Sequence, residues 1–149
     1  MKLEWGLTAG NAEGEVDRLL AVSRKAEGGL PLTEAQARAV AQAHSEALRR
    51  TGRIEFGKSA AEKLAEIFAG SPWLTREEQG QQLAELAALF YDCRAELPDS
   101  LPDGWLLEQM RRAFDGPCRG CMELMNDCFL LQLPRHLRQG GRPEDFGRL

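Results

Sequence analysis

Between Thr75 and Pro98 the chain repeats apolar residues at steps of three and four: Leu83, Leu86, Ala87, Phe90, Cys93 and Leu97. That spacing places all of them on one face of an α-helix and scatters them over both faces of a strand. A helix with so continuous an apolar stripe is stable only when other elements cover it, so the rest of the chain must supply the cover. It is suited to do so. Ala, Leu, Glu, Gln and Arg are abundant and Val, Ile and Tyr are scarce, a helical bias with little material for strands.

Start and stop signals divide the chain. Thr33 with Gln36, Ser59 with Glu62 and Thr75 with Glu78 match the capping box, and Asn11 suits an N-cap. Gly28-Gly29-Leu30-Pro31, Gly52, Gly70, Pro98 and Gly116-Pro117 fall where helices end. These signals predict helices over residues 12–26, 33–50, 59–69, 75–97, 100–115 and 118–133. Pro134 is expected to interrupt the last, with residues 135–138 adding a turn. Arg53-Ile54-Glu55-Phe56 alternates polar and apolar, which predicts a short extended piece whose two hydrophobes enter the core. The expected fold is an all-α compact bundle of about six helices with short connections. It forms one helical domain over residues 1–149, with 1–11 and 139–149 loose and Trp5 and Leu7 packing onto it.

The charge balance narrows function. A net charge of −4, with Lys and Arg interspersed among acids, lacks the basic stripe of a non-specific nucleic-acid binder. No apolar run approaches the ~18 residues of a membrane span, and Met1–Gly6 has no signal-peptide core. Four Cys in a chain without an export signal read as reduced thiols, so the expected location is cytoplasmic.

Two motifs carry possible chemistry. Gly52–Ser59 matches the phosphate-loop pattern G-x-x-x-x-G-K-[ST]. A phosphate loop needs a buried strand feeding it and a magnesium-binding Asp at the end of another strand, and neither is present in the sequence. Glu55 would also stand among the phosphates. The preferred reading is a turn, with Gly52 closing one helix and Ser59 capping the next, and nucleotide binding ranks well below it. Cys118-Arg119-Gly120-Cys121, with Cys128 seven residues beyond and Cys93 from another helix, could form a thiolate metal site, zinc first, or a redox pair. A single C-x-x-C is a weak signal, and the preferred reading makes these thiols part of a core stripe with Met122, Met125 and Phe129. His44 lies at the edge of an apolar stripe with no second His or acid placed to make it a base, so packing is its expected role. No catalytic constellation appears.

Leu32–Ala37, Glu46–Gly57 with its Gly-Arg-Ile-Glu-Phe-Gly run, Ser71-Pro72-Trp73 and Leu86–Tyr91 resemble an uncharacterised bacterial family of unknown function. The resemblance implies a small helical protein and brings no activity, ligand or catalytic residue. The functional expectation is therefore a non-enzymatic protein-interaction or accessory module, its partner another protein or a second copy of itself. The motive is aromatic: Trp5, Trp73 and Trp105 all lie near helix ends or connectors, where such residues serve interfaces.

Overall fold

The structure, a computed structural model, describes residues 2–26 and 29–146, with side chains from residue 14 onward. Among these residues every regular element is helical. In chain order they are α1 (Lys2–Lys25), α2 (Glu34–Thr51), α3 (Ala60–Phe68), α4 (Gln79–Arg94) and α5 (Asp103–Asp115). Then follow α6 (Met122–Met125), a π-helical turn (Asn126–Leu130), α7 (Gln132–Arg138) and α8 (Pro143–Phe146).

The expected stripe of α4 is the centre of the core. Leu83, Leu86, Ala87, Phe90 and Cys93 are all buried, joined by Tyr91, and Leu97 is buried just beyond α4, which ends at Arg94 and not at the expected Leu97. They meet Ala37, Val40, Ala41 and Ala47 of α2, Leu64 and Phe68 of α3, and Leu106, Leu107, Met110 and Phe114 of α5. α1 contributes Val16 and Leu19, and the C-terminal elements contribute Met125, Leu130, Leu133 and Phe146. The alanines of α2 let α4 approach closely, and Gly80 brings the two backbones nearer still. A Cβ at Gly80 would stand 2.7 Å from Gln36 Cβ and 2.9 Å from Gln36 Cα. Gln36 bridges the crossing: its amide donates to the Arg76 carbonyl at 2.8 Å, and Gln79 donates to the Pro31 carbonyl at 3.0 Å.

The capping boxes at Thr33–Gln36 and Ser59–Glu62 are present with both reciprocal bonds. The third differs. Thr75 accepts from the Glu78 amide at 3.2 Å, but Gln82, not Glu78, returns the bond to the Thr75 amide, and α4 starts only at Gln79. Other boundaries also depart from expectation. The backbone of residues 2–11 is helical, so Asn11 lies inside α1 rather than at its start. The side chains of Trp5 and Leu7 lie outside the described residues, as do Gly28 and residues 147–149.

The helix expected from Cys118 starts at Met122. Arg119 (φ 48°) and Gly120 (φ 78°) are successive left-handed residues that hold 118–121 as a turn, and the Cys121 thiol caps α6. Pro134 does not interrupt: it sits in the first turn of α7, where a missing N–H leaves no bond unmade. Residues 143–146, expected to be loose, form a helical turn that buries Phe146 against Phe129 and His136.

Gly80→Ala tests the α2–α4 crossing. In an open helix interior the change would stabilise by about 1 kcal/mol. Here the new Cβ meets backbone and a short side-chain stem, so the expected result is a loss of about 1–3 kcal/mol in a urea or thermal melt.

Candidate functional site

The connection from α2 to α3 inverts the expected phase. Glu55, not Ile54 or Phe56, turns inward: its side chain is only 8% exposed, while Ile54 is 77% and Phe56 89% exposed. A buried carboxylate must be charge-paired and hydrogen-bonded or it will not stay there ionised, and Glu55 is both. Its Oε1 accepts from His44 Nε2 at 2.7 Å. Its Oε2 accepts from the Tyr91 hydroxyl at 2.7 Å and from Arg53 Nε at 3.0 Å, with the Ala60 amide at 3.4 Å.

His44 is gripped from both sides. Its Nδ1 lies 2.5 Å from Glu15 Oε1 of α1, and the two side chains are 8% and 10% exposed. Neither atom has an aligned hydrogen bond to any described group, so this contact is a close ion pair, off the direction of the ring N–H. Arg53 carries the charge onward. Its Nη2 donates to Asp103 Oδ2 at 2.5 Å, and its guanidinium lies 5.5 Å from the centre of the Tyr91 ring. Asp103 accepts on its other oxygen from Arg94 Nε at 2.9 Å. Arg94 then donates to the Leu97, Pro98 and Leu101 carbonyls beyond α4. Carboxylates and cations thus alternate from Glu15 through His44, Glu55, Arg53 and Asp103 to Arg94, linking α1, α2, the connection, α4 and α5.

Burial alone would favour neutral groups, and the pairing reverses that preference. Desolvation pulls His44 downward, but its close contacts with the Glu15 and Glu55 carboxylates and their charges raise it to about 9. Desolvation pushes Glu55 upward, but bonds from His44 and Tyr91, with the His44 and Arg53 charges, lower it to about 2. Tyr91 is raised far above its ordinary value by burial and by its bond to Glu55. At neutral pH the imidazole is therefore an imidazolium facing carboxylates on both nitrogens, and the phenol is a neutral donor. Such a set has no free base and no activated nucleophile. What it can do is hold the 52–59 connection in one conformation.

The sequence motifs are placed as follows. Gly52 is left-handed (φ 71°) and closes α2, as expected of a turn. Ser59 and Glu62 cap α3, and the Glu62 carboxylate also accepts from Arg18 Nε at 2.8 Å. The positive end of α3, where a phosphate would sit, is thus occupied by the protein's own carboxylate. Lys58 pairs with Glu66 at 2.5 Å. The four cysteines are all free. Cys93 is buried in the core with its thiol directed at the Leu130 carbonyl at 3.6 Å, and burial pushes it up to about 12. Cys118 is buried and raised by burial, then by the neighbouring Cys128 and Cys121 thiols. Cys121 and Cys128 are exposed and not part of a core stripe. Among the described residues no three His, Cys, Asp or Glu side chains are grouped to hold a metal ion. No helix among them is long and apolar enough to cross a membrane.

Above the network lies an open groove between α1, α2 and the connection. Glu15, His44 and Glu55 form part of its floor, Val16, Val22, Ala41 and Leu48 add apolar surface, and Phe56 forms part of its wall. Sequence reasoning missed the acids beside His44 because they arrive from 29 and 11 positions away along the chain. The available signal was Glu15, which directly precedes the core residue Val16 in α1.

One family, described as a family of unknown function (DUF6323), matches residues 19–143, a span that includes His44, Glu55, Tyr91 and Asp103 and begins after Glu15. No curated protein and no solved structure matches the chain.

The network makes stability depend on pH from both sides. His44 is raised on folding, so its contribution is complete below pH 6.5 and is lost as pH rises through about 9. Glu55 is lowered, so its contribution is complete above pH 4.5 and is lost as pH falls through about 2. Both shifts describe one shared contact. Thermal melts should show a plateau between pH 4.5 and 6.5. They should also show a decline toward pH 9 worth about 3 kcal/mol. A melting temperature unchanged from pH 6.5 to 9.5 would mean that the imidazolium holds nothing.

Proposed function

The chain therefore belongs to this family of unknown function, and we propose that it is a non-enzymatic protein-interaction module that pairs with a second copy of itself through the Ile54–Phe56 loop. The observation that carries the reading is the contrast within three successive residues. Glu55 is buried and fully bonded, while Ile54 and Phe56 are among the most exposed large hydrophobes. An apolar pair left in water costs free energy, and a loop free to move would fold it away. The buried network prevents that movement, so the display is pre-organised, which lowers the cost of ordering on association.

The second copy is favoured by where the groove lies. Phe56 stands on the groove's own wall, and apolar side chains of α1 and α2 lie inside it. A projection and a recess side by side on one face suit isologous pairing, in which each copy seats its Phe56 in the other. A catalytic reading finds no support in His44, since both ring nitrogens already face carboxylates. The tryptophans contribute less than their positions in sequence suggest. Trp105 is half-buried, and Trp73 donates its indole N–H to the Asp115 carbonyl at 3.1 Å while packing over Gly120.

Sedimentation of wild type, Ile54→Ser and Phe56→Ser measures this directly. Wild type should dimerise as concentration rises, and both variants should remain monomeric. Because the replaced side chains are exposed, the variants' stability in dilute solution should stay within about 0.5 kcal/mol of wild type. A wild-type protein that is still monomeric at about 1 mM would overturn the reading, since weaker pairing than that carries under about 4 kcal/mol.

A further inference from the structure

A separate pocket of about 550 Å³ lies on the far side of α5, bounded by the π-helical turn and α8. Its size falls within the range of small-molecule sites. Trp105, Gln109, Arg112 and Ala113 line it from one face of α5, at the i, i+4, i+7 and i+8 positions. Phe129 and Phe146 form the opposite wall, their ring centres 5.2 Å apart.

The π-helical turn shapes that wall. In a regular α-helix the residue one turn beyond Met125 is Phe129. Here the Leu131 amide bonds to the Asn126 carbonyl at 2.9 Å, five residues back. The widened turn seats Leu130 in the core beside Met125 and leaves Phe129 half-buried at the pocket. Turns of this kind recur at functional sites because the extra residue re-aims a side chain.

The polar groups of the pocket are few. The guanidinium of Arg112 has no ion-pair or hydrogen-bond partner among the described residues. Gln109 stands one turn before it on α5, and Glu144 lines the pocket from α8. The thiols of Cys118 and Cys128 complete the lining.

We propose that this pocket binds a small aromatic organic anion, its ring body held between Trp105, Phe129 and Phe146 and its acidic head on Arg112 and Gln109. The aromatic walls favour stacked or edge-on ring contacts over a featureless chain. Arg112 supplies a planar fork of donors that matches a carboxylate or sulfonate. Glu144 disfavours an acidic head at the α8 side, which orients the ligand toward α5.

The probe is anilinonaphthalene sulfonate, with neutral phenylnaphthylamine as its uncharged counterpart. Fluorescence titration should give one saturable sulfonate site per chain. Arg112→Gln, an exposed change outside the core, should weaken sulfonate binding roughly tenfold or more and leave the neutral compound unaffected. In a second measurement, bound sulfonate should slow alkylation of Cys128 but not of Cys121, which caps α6 and does not line the pocket. Equal sulfonate affinity in wild type and Arg112→Gln would overturn the proposal. So would Cys128 alkylation that is indifferent to the probe. Neither readout involves Ile54, Phe56 or the groove, so this proposal stands or falls apart from self-association.

Discussion

The Glu55 carboxylate inside the helical core is the interaction on which the rest of the site depends. An ionised group there costs several kcal/mol in desolvation before any partner is counted. His44, Tyr91 and Arg53 offset that cost with bonds of 2.7, 2.7 and 3.0 Å. Each partner then needs its own. His44 draws Glu15 from α1, and Arg53 draws Asp103 from α5, which in turn takes Arg94 from α4. The alternation ends only where Arg94 meets backbone carbonyls. Removing one member of a buried ion pair strands the other and is strongly destabilising. Here that dependence ties α1, α2, α4 and α5 to the connection.

The same constraint explains the surface. Successive residues of an extended segment point to opposite sides, so an inward Glu55 forces Ile54 and Phe56 outward. The exposed hydrophobes and the buried charge are one structural fact seen from two sides. The phosphate-loop pattern dissolves for a related reason. Its Gly52 serves the end of α2, its Glu55 serves the core, and its Ser59 serves the start of α3. Gly52, Glu55 and Ser59 are already committed to holding helices together.

Much of the fold was legible in sequence. The α4 stripe, the apolar faces of α2, α3 and α5, and the boxes at Thr33 and Ser59 follow from period and local bonding, which operate over four residues or fewer. The candidate site was not. Alternation in residues 53–56 predicts that one set of side chains faces in, but the choice of set depends on what waits inside. Hydrophobicity favoured Ile54 and Phe56. An imidazolium, a phenol and a guanidinium, gathered from α2, α4 and the connection, favoured Glu55. Cys118–Leu133 failed similarly: helix propensity ran across 118–121, while two left-handed residues and the packing of Trp73 on Gly120 held it as a turn.

By itself the sequence determined that this chain is helical, where α2 and α3 begin and end, and which faces the central helices bury. Those properties arise from bonds between near neighbours and from the repeat of apolar side chains along each helix. Only the tertiary structure decided that a glutamate would lie in the core, that two hydrophobes would stand in water above it, and that Trp105, Phe129 and Phe146 would enclose a pocket. Each of those outcomes is set by partners distant in sequence. A buried charge is tolerated or expelled according to which opposite charges the packed helices bring within hydrogen-bond reach.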